Sequence, residues 1–183
     1  EHYLHALRIK PDYVEVHNNL GFVLNKQGRS EEAIEHYLHA LRIKPDYVEA
    51  HNNLGFVFNK QGRSEEAIEH YLEALRIMPD YENAHYNLGN VLYKQGRTEE
   101  AIGHYLQALR INPDYEEAHY KLGNVLNKQG YTEDAIKHYL EVLRINPNSE
   151  EAHNNLAVSF LYKGYIKRAI VHFRKSLQIN PDY

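Results

Sequence analysis

Apolar residues recur along this chain at helical spacing, and the pattern itself repeats every 34 residues. The stretch 48–81, VEAHNNLGFVFNKQGRSEEAIEHYLEALRIMPDY, shows one period. On a helical wheel His51, Leu54, Gly55 and Phe58 share an arc, with Val57 at its edge. Glu49, Asn52, Asn53, Phe56, Asn59 and Lys60 fall on the opposite, open arc. Further on, Ala67, Ile68, Tyr71, Ala74 and Leu75 make a second apolar face. The pattern predicts two amphipathic helices. Asp46 is the expected N-cap of the first, with Glu49 completing a capping box, and Gly62 its left-handed stop. Ser64 is the expected cap of the second, which runs to about Ile77 and ends before Pro79. Asp12/Glu15, Asp114/Glu117 and Asn148/Glu151 repeat or approximate the first cap.

Prolines at 11, 45, 79, 113, 147 and 181 mark the period, and the units align without gaps as 14–47, 48–81, 82–115, 116–149 and 150–183. Residues 1–13 match the end of a second helix from a preceding unit. A fixed period of this length predicts one continuous all-α array of antiparallel helix hairpins, in which each unit buries its apolar face against its neighbours. Units 14–47 and 48–81 differ only at Val16/Ala50, Leu24/Phe58, His39/Glu73 and Lys44/Met78, so a repeated residue can reflect duplication as well as selection.

Composition narrows the function. The net charge of −4 in 183 residues argues against a bulk electrostatic grip on nucleic acid or an anionic membrane. No cysteine is present, which excludes disulfides and thiolate chemistry. No apolar run is long enough for a membrane span, and no signal peptide is visible; a cytoplasmic location is expected, for a chain that reads as part of something longer. The 13 histidines invite a metal site. Five of them, His17, His51, His85, His119 and His153, lie on the predicted buried arc. His2, His36, His70, His104, His138 and His172 flank the second-helix aromatic, and His5 and His39 complete the set. Equivalent residues of adjacent units sit about 10 Å apart, too far for two ligands of one ion. Packing is therefore the expected role and no metal or cofactor is predicted, His36 and His39 being the best-placed pair. No phosphate loop, HExxH motif or nucleophile elbow occurs, so no catalytic activity is expected.

Leu54-Gly55, Phe58, Ala67, Tyr71, Ala74 and Pro79, at these spacings, resemble the tetratricopeptide repeat, and the resemblance covers the whole chain. The chain departs from the family pattern in carrying His where a large aromatic is usual. In the divergent last unit Ala157 replaces the glycine and Ser176 the small alanine. The resemblance implies a right-handed superhelical solenoid whose first helices line a concave groove, and a scaffold that binds peptides or proteins there.

The open arc supplies the candidate binding residues. Asn19, Asn53, Asn87 and Asn155 hold one equivalent position, interrupted by Lys121. Beside them stand Asn18, Asn52 and Asn154, with Tyr86 and Tyr120 as substitutes. Phe22 and Phe56 lie a turn further on, replaced by Asn90 and Asn124, and Asn25, Asn59, Tyr93 and Asn127 follow. Lys26, Lys60, Lys94 and Lys128 end the helices and favour acidic segments. Asn is a poor helix former, yet its amide can donate to and accept from a ligand backbone at once. The array is similar to the asparagine ladder of O-linked N-acetylglucosamine transferases. The alternative use of these amides is hydrogen bonding between neighbouring helices. A chaperone-tail carboxylate clamp is not expected: its first lysine position holds Asn or Tyr, and of its later basic pair only Lys121 is matched. The expected function is a non-catalytic scaffold for extended, acidic peptide or protein segments. Self-assembly through repeat ends, giving end-to-end homo-association, and a substrate-recruiting arm of a larger enzyme such as a glycosyltransferase are the alternatives.

Overall fold

The computed structural model describes residues 12–181. Most of the predicted helix end in 1–13, with His2, His5 and Pro11, lies outside the described residues. The described residues form ten helices and no strand: α1 Val14–Lys26, α2 Ser30–Ile43, α3 Val48–Lys60, α4 Ser64–Ile77, α5 Glu82–Lys94, α6 Thr98–Ile111, α7 Glu116–Lys128, α8 Thr132–Ile145, α9 Glu150–Tyr162 and α10 Ile166–Ile179. They fall into two compact units that part between Arg97 and Thr98. The predicted repeat 82–115 thus gives α5 to the first unit and α6 to the second. Among the described residues no helix is long and apolar enough to cross a membrane.

Within each unit, first and second helices pair as hairpins and each second helix packs on the first helix that follows. The hairpin turn is closed by glycine. Gly62 has φ +78°, its N–H reaches Asn59 O at 3.1 Å, and Arg63 N–H reaches Phe58 O at 2.9 Å. This double bond satisfies the last carbonyls of α3, and the positive φ is why glycine stands there. The predicted N-caps sit one residue off. In the Pro45-Asp46 turn Tyr47 N–H bonds Lys44 O at 3.1 Å, so Asp46 lies in the turn, and Tyr47 is the N-cap without a side-chain bond. Tyr13 and Tyr115 take the same role in place of Asp12 and Asp114. Ser64 is the first helical residue rather than the cap, Arg63 preceding it. Ser149 does cap with its side chain, accepting from Ala152 N–H at 3.4 Å, in place of the expected Asn148.

The core is a ladder of tyrosines against small residues. Tyr37, Tyr71, Tyr105 and Tyr139 are fully buried. A Cβ added at Gly55 would come within 2.7 Å of the Tyr71 ring, and one at Gly21 or Gly123 within 2.8 Å of Tyr37 or Tyr139. The glycine of the Leu-Gly pair is therefore fixed by ring contact, not by backbone conformation. In the last hairpin Ala157 is buried in a cluster against which Phe173 packs, and the buried Ser176 hydroxyl donates to Glu150 Oε1 at 3.0 Å.

Candidate functional site

The open arc of the first helices divides into residues that bind neighbouring helices and residues that face solvent. Asn53 Nδ2 donates to Asn18 Oδ1 at 3.0 Å, and Asn87 Nδ2 donates to Asn52 Oδ1 at 3.0 Å. These bonds link α1 to α3 and α3 to α5. Asn18 and Asn52 are buried, not open as their wheel position predicted, because the following first helix covers them. Asn53 and Asn87 are half-buried, and their carboxamide oxygens remain as acceptors. Asn19 is exposed, Tyr86 and Asn90 half-buried.

The two aromatics of the first unit stand out. Phe22 and Phe56 are 46% and 38% exposed. Lys26 Nζ lies 4.7 Å from the centre of the Phe22 ring, and Lys60 Nζ 5.1 Å from that of Phe56. Each ring thus has a cation over its face and part of its surface open to solvent. Lys94, where the aromatic is absent, donates instead to Asn59 Oδ1 at 3.1 Å.

In α7 of the second unit the same position is polar and occupied. Asn124 Oδ1 accepts from Tyr139 Oη at 2.8 Å and from Asn155 Nδ2 at 3.0 Å, and Asn155 Nδ2 also reaches Tyr120 Oη at 3.2 Å. Lys121 is exposed, and Asn127 Oδ1 is buried without a hydrogen-bond partner. The Tyr139–Asn124 bond spans 15 residues. Phe56 stands the same distance before Tyr71, and the buried Tyr71 hydroxyl has no partner. An apolar ring at position 56 therefore removes the acceptor that the equivalent tyrosine uses.

The histidines are paired within hairpins. Nδ1 to Nδ1 distances are 2.9 Å for His17–His36, 3.0 Å for His51–His70, and 2.9 Å for both His119–His138 and His153–His172. His51 Nε2 also lies 3.0 Å from Pro45 O and must donate to it, so neutral His51 accepts at Nδ1 and His70 donates. His85 is half-buried rather than buried, its Nε2 3.0 Å from Pro79 O. Burial, then the neighbouring imidazole, pushes His70 and His138 down to about 4, and burial also lowers His153. Spacing between units says nothing of pairs inside one hairpin; the repeated separation of 19 residues between first- and second-helix histidines is their signal in the sequence. The His39 ring lies against that of His17, with ring centres 4.1 Å apart and planes tilted by 30°. Among the described residues no group of three or more His, Asp or Glu is placed to hold a metal ion.

The family model described as TPR repeat matches residues 23–62, 57–96, 89–130 and 123–164, and two further tetratricopeptide repeat models match 2–35 and 150–183. No curated protein matches the chain by sequence. Solved structures do share its fold. YrrB, described as a TPR protein with an unusual peptide-binding site, is 24% identical with a TM-score of 0.76, the match covering 100% of this chain and 94% of YrrB. A MamA structure is 27% identical with a TM-score of 0.79, covering 88% of this chain and 94% of its own. The pilF protein of Pseudomonas aeruginosa is 21% identical with a TM-score of 0.88, covering 99% and 82% respectively. With helix hairpins at a 34-residue period and family matches from residue 2 to 183, the chain belongs to the tetratricopeptide repeat family.

Proposed function

We propose that this chain binds extended protein segments carrying apolar and acidic side chains, and that the first-helix face of α1, α3 and α5 is the principal contact. Tetratricopeptide repeats make the chain a protein-interaction scaffold. The finer reading rests on one observation: Phe22 and Phe56 are exposed beside lysines, at a position where the second unit carries an amide that satisfies a buried hydroxyl. Phe56 costs Tyr71 an acceptor and still leaves 38% of its own surface exposed. A ligand's apolar side chain against the rings would restore that balance. Lys26 and Lys60 would attract carboxylates next to those side chains, with Lys94 and Lys128 extending the preference. The oxygens of Asn53 and Asn87 would accept from ligand backbone N–H groups, as that of Asn155 would in the second unit, where Lys121 would donate to ligand carbonyl or carboxylate oxygens. The scaffold has no catalytic part to play in this reading.

Selection of random peptides on the full chain tests it. Enriched sequences should combine aromatic or aliphatic residues with Asp or Glu, and compete with one another. Enrichment of basic peptides, or binding indifferent to the ligand's apolar residues, would reject the reading.

A further inference from the structure

On the first-helix face of the first unit, three kinds of side chain stand at successive turns of each helix. They are Asn19, Phe22 and Lys26 on α1, and Asn53, Phe56 and Lys60 on α3. Across the helices they make three parallel rows, of amides, rings and cations. The rows repeat regularly. Asn53 Nδ2 reaches Asn18 Oδ1 and Asn87 Nδ2 reaches Asn52 Oδ1, both at 3.0 Å, so the step from α1 to α3 matches the step from α3 to α5. Phe56 is 38% exposed although α1 and α5 both touch α3, so this position is open inside the array.

A ligand lying across these helices meets a surface of fixed period. Packed helices lie about 8–10 Å apart, so the ligand must present the same face again after roughly that distance. An extended β-strand does not, because its same-face side chains recur at about 6.7 or 13.4 Å. A polyproline II segment turns once in three residues and advances about 9.3 Å. An α-helix returns to nearly the same face after seven residues, about 10.5 Å. The amide row decides between these two. Asn53 and Asn87 each use Nδ2 on the preceding first helix, which leaves Oδ1 to accept. A polyproline II backbone has no internal hydrogen bonds, so every third N–H can meet one of these oxygens. The N–H groups inside an α-helix are already bonded to its own carbonyls.

We infer that the ligand is a polyproline II segment read in triplets. One residue of each triplet is apolar and packs on Phe22 or Phe56. A second is acidic and faces Lys26 or Lys60, and the third faces solvent, where proline presets the backbone. This inference rests on the first-helix face being the binding surface.

The probes are short labelled peptides of identical composition, made of proline, glutamate and two leucines, with the leucines two, three or four residues apart. A lactam-bridged helical peptide of the same charge carries its leucines seven apart. Affinities are read by fluorescence anisotropy on the full chain. The three-residue spacing should bind about tenfold more tightly than the other three peptides, the difference between engaging two rings and one. Phe22→Asn, an exposed change that removes one ring, should erase that preference. Equal affinities across the spacings, tightest binding by the helical peptide, or a preference that survives Phe22→Asn would overturn the triplet register while the binding face stands. Binding of none of the peptides would overturn the register and the face together.

Discussion

Two regions of this molecule spend one position differently. In the second unit Asn124 ties together Tyr139 and Asn155, so this position is closed by its own hydrogen bonds. In the first unit Phe22 of α1 and Phe56 of α3 hold the equivalent place and stand exposed under lysines, and opposite Phe56 the Tyr71 hydroxyl is buried without a partner. Gly55 against Tyr71 in the first unit and Gly123 against Tyr139 in the second make the same contact. The difference teaches that the scaffold does not need the phenylalanines, and that the hydrogen-bonded version is available to it. Residues that a fold can do without, kept at an energetic cost, are where binding is best sought.

The largest effect expected should not distinguish the units. His36, His39 and His70 in the first, and His138, His153 and His172 in the second, are all lowered, with burial the first cause in each. The unfolded chain then binds more protons below about pH 6.5, its reference value. Stability is therefore full above that value and is lost as pH falls toward 4, where His70 and His138 titrate when folded. Melting followed by circular dichroism should show the midpoint falling over this window. A midpoint flat from about pH 7 to 5 would contradict it. Glu66 and Glu73 near His70, and Asp134 and Glu141 near His138, oppose the shift without cancelling it.

Next in size, Gly55→Ala and Gly123→Ala should each destabilise by about 1–3 kcal/mol, because the added methyl meets a packed ring. Denaturant unfolding that showed one tolerated and the other not would break the claim that the two cores are alike. Smaller still is the tyrosine contrast. Tyr139→Phe should lose about 0.5–1.5 kcal/mol with its bond to Asn124, while Tyr71→Phe should be neutral or stabilising, since its hydroxyl has nothing to lose. Equal losses at both sites would mean that Tyr71 has an acceptor after all. The smallest effect concerns charge: Lys60→Gln should weaken an acidic peptide only a few-fold, and less at high salt.

The helices themselves are legible in the sequence because the apolar period and the glycine and proline stops are local signals. Gly62 stops α3 as its place before Ser64 suggests, and α4 ends at Ile77. The caps lie one residue from where side-chain rules put them. The turn bond from Tyr47 to Lys44 decides where the helix starts, and no side-chain rule encodes it. On the open arc a wheel cannot know what a neighbouring helix covers. It puts Asn52 in solvent, whereas α5 brings Asn87 onto it. That contact also changes the meaning of the asparagines: Asn53 and Asn87 link helices, and replacing them leaves Asn18 and Asn52 buried without their donors. The exposed phenylalanines need no neighbour to be noticed. Their cost to Tyr71 becomes visible only once the second unit shows what a tyrosine at that place bonds.

The Phe22→Asn, Phe56→Asn double variant tests the central claim most directly, because it gives the first unit the chemistry of the second. Its melting temperature and its affinity for peptides selected on the unaltered chain are measured on the same sample. The account predicts a melting temperature equal or higher, as the introduced carboxamide oxygen accepts from the Tyr71 hydroxyl, together with at least about tenfold weaker binding, roughly the loss of one buried apolar contact. Unchanged affinity, or a fall in stability comparable to that of a core substitution, would contradict it.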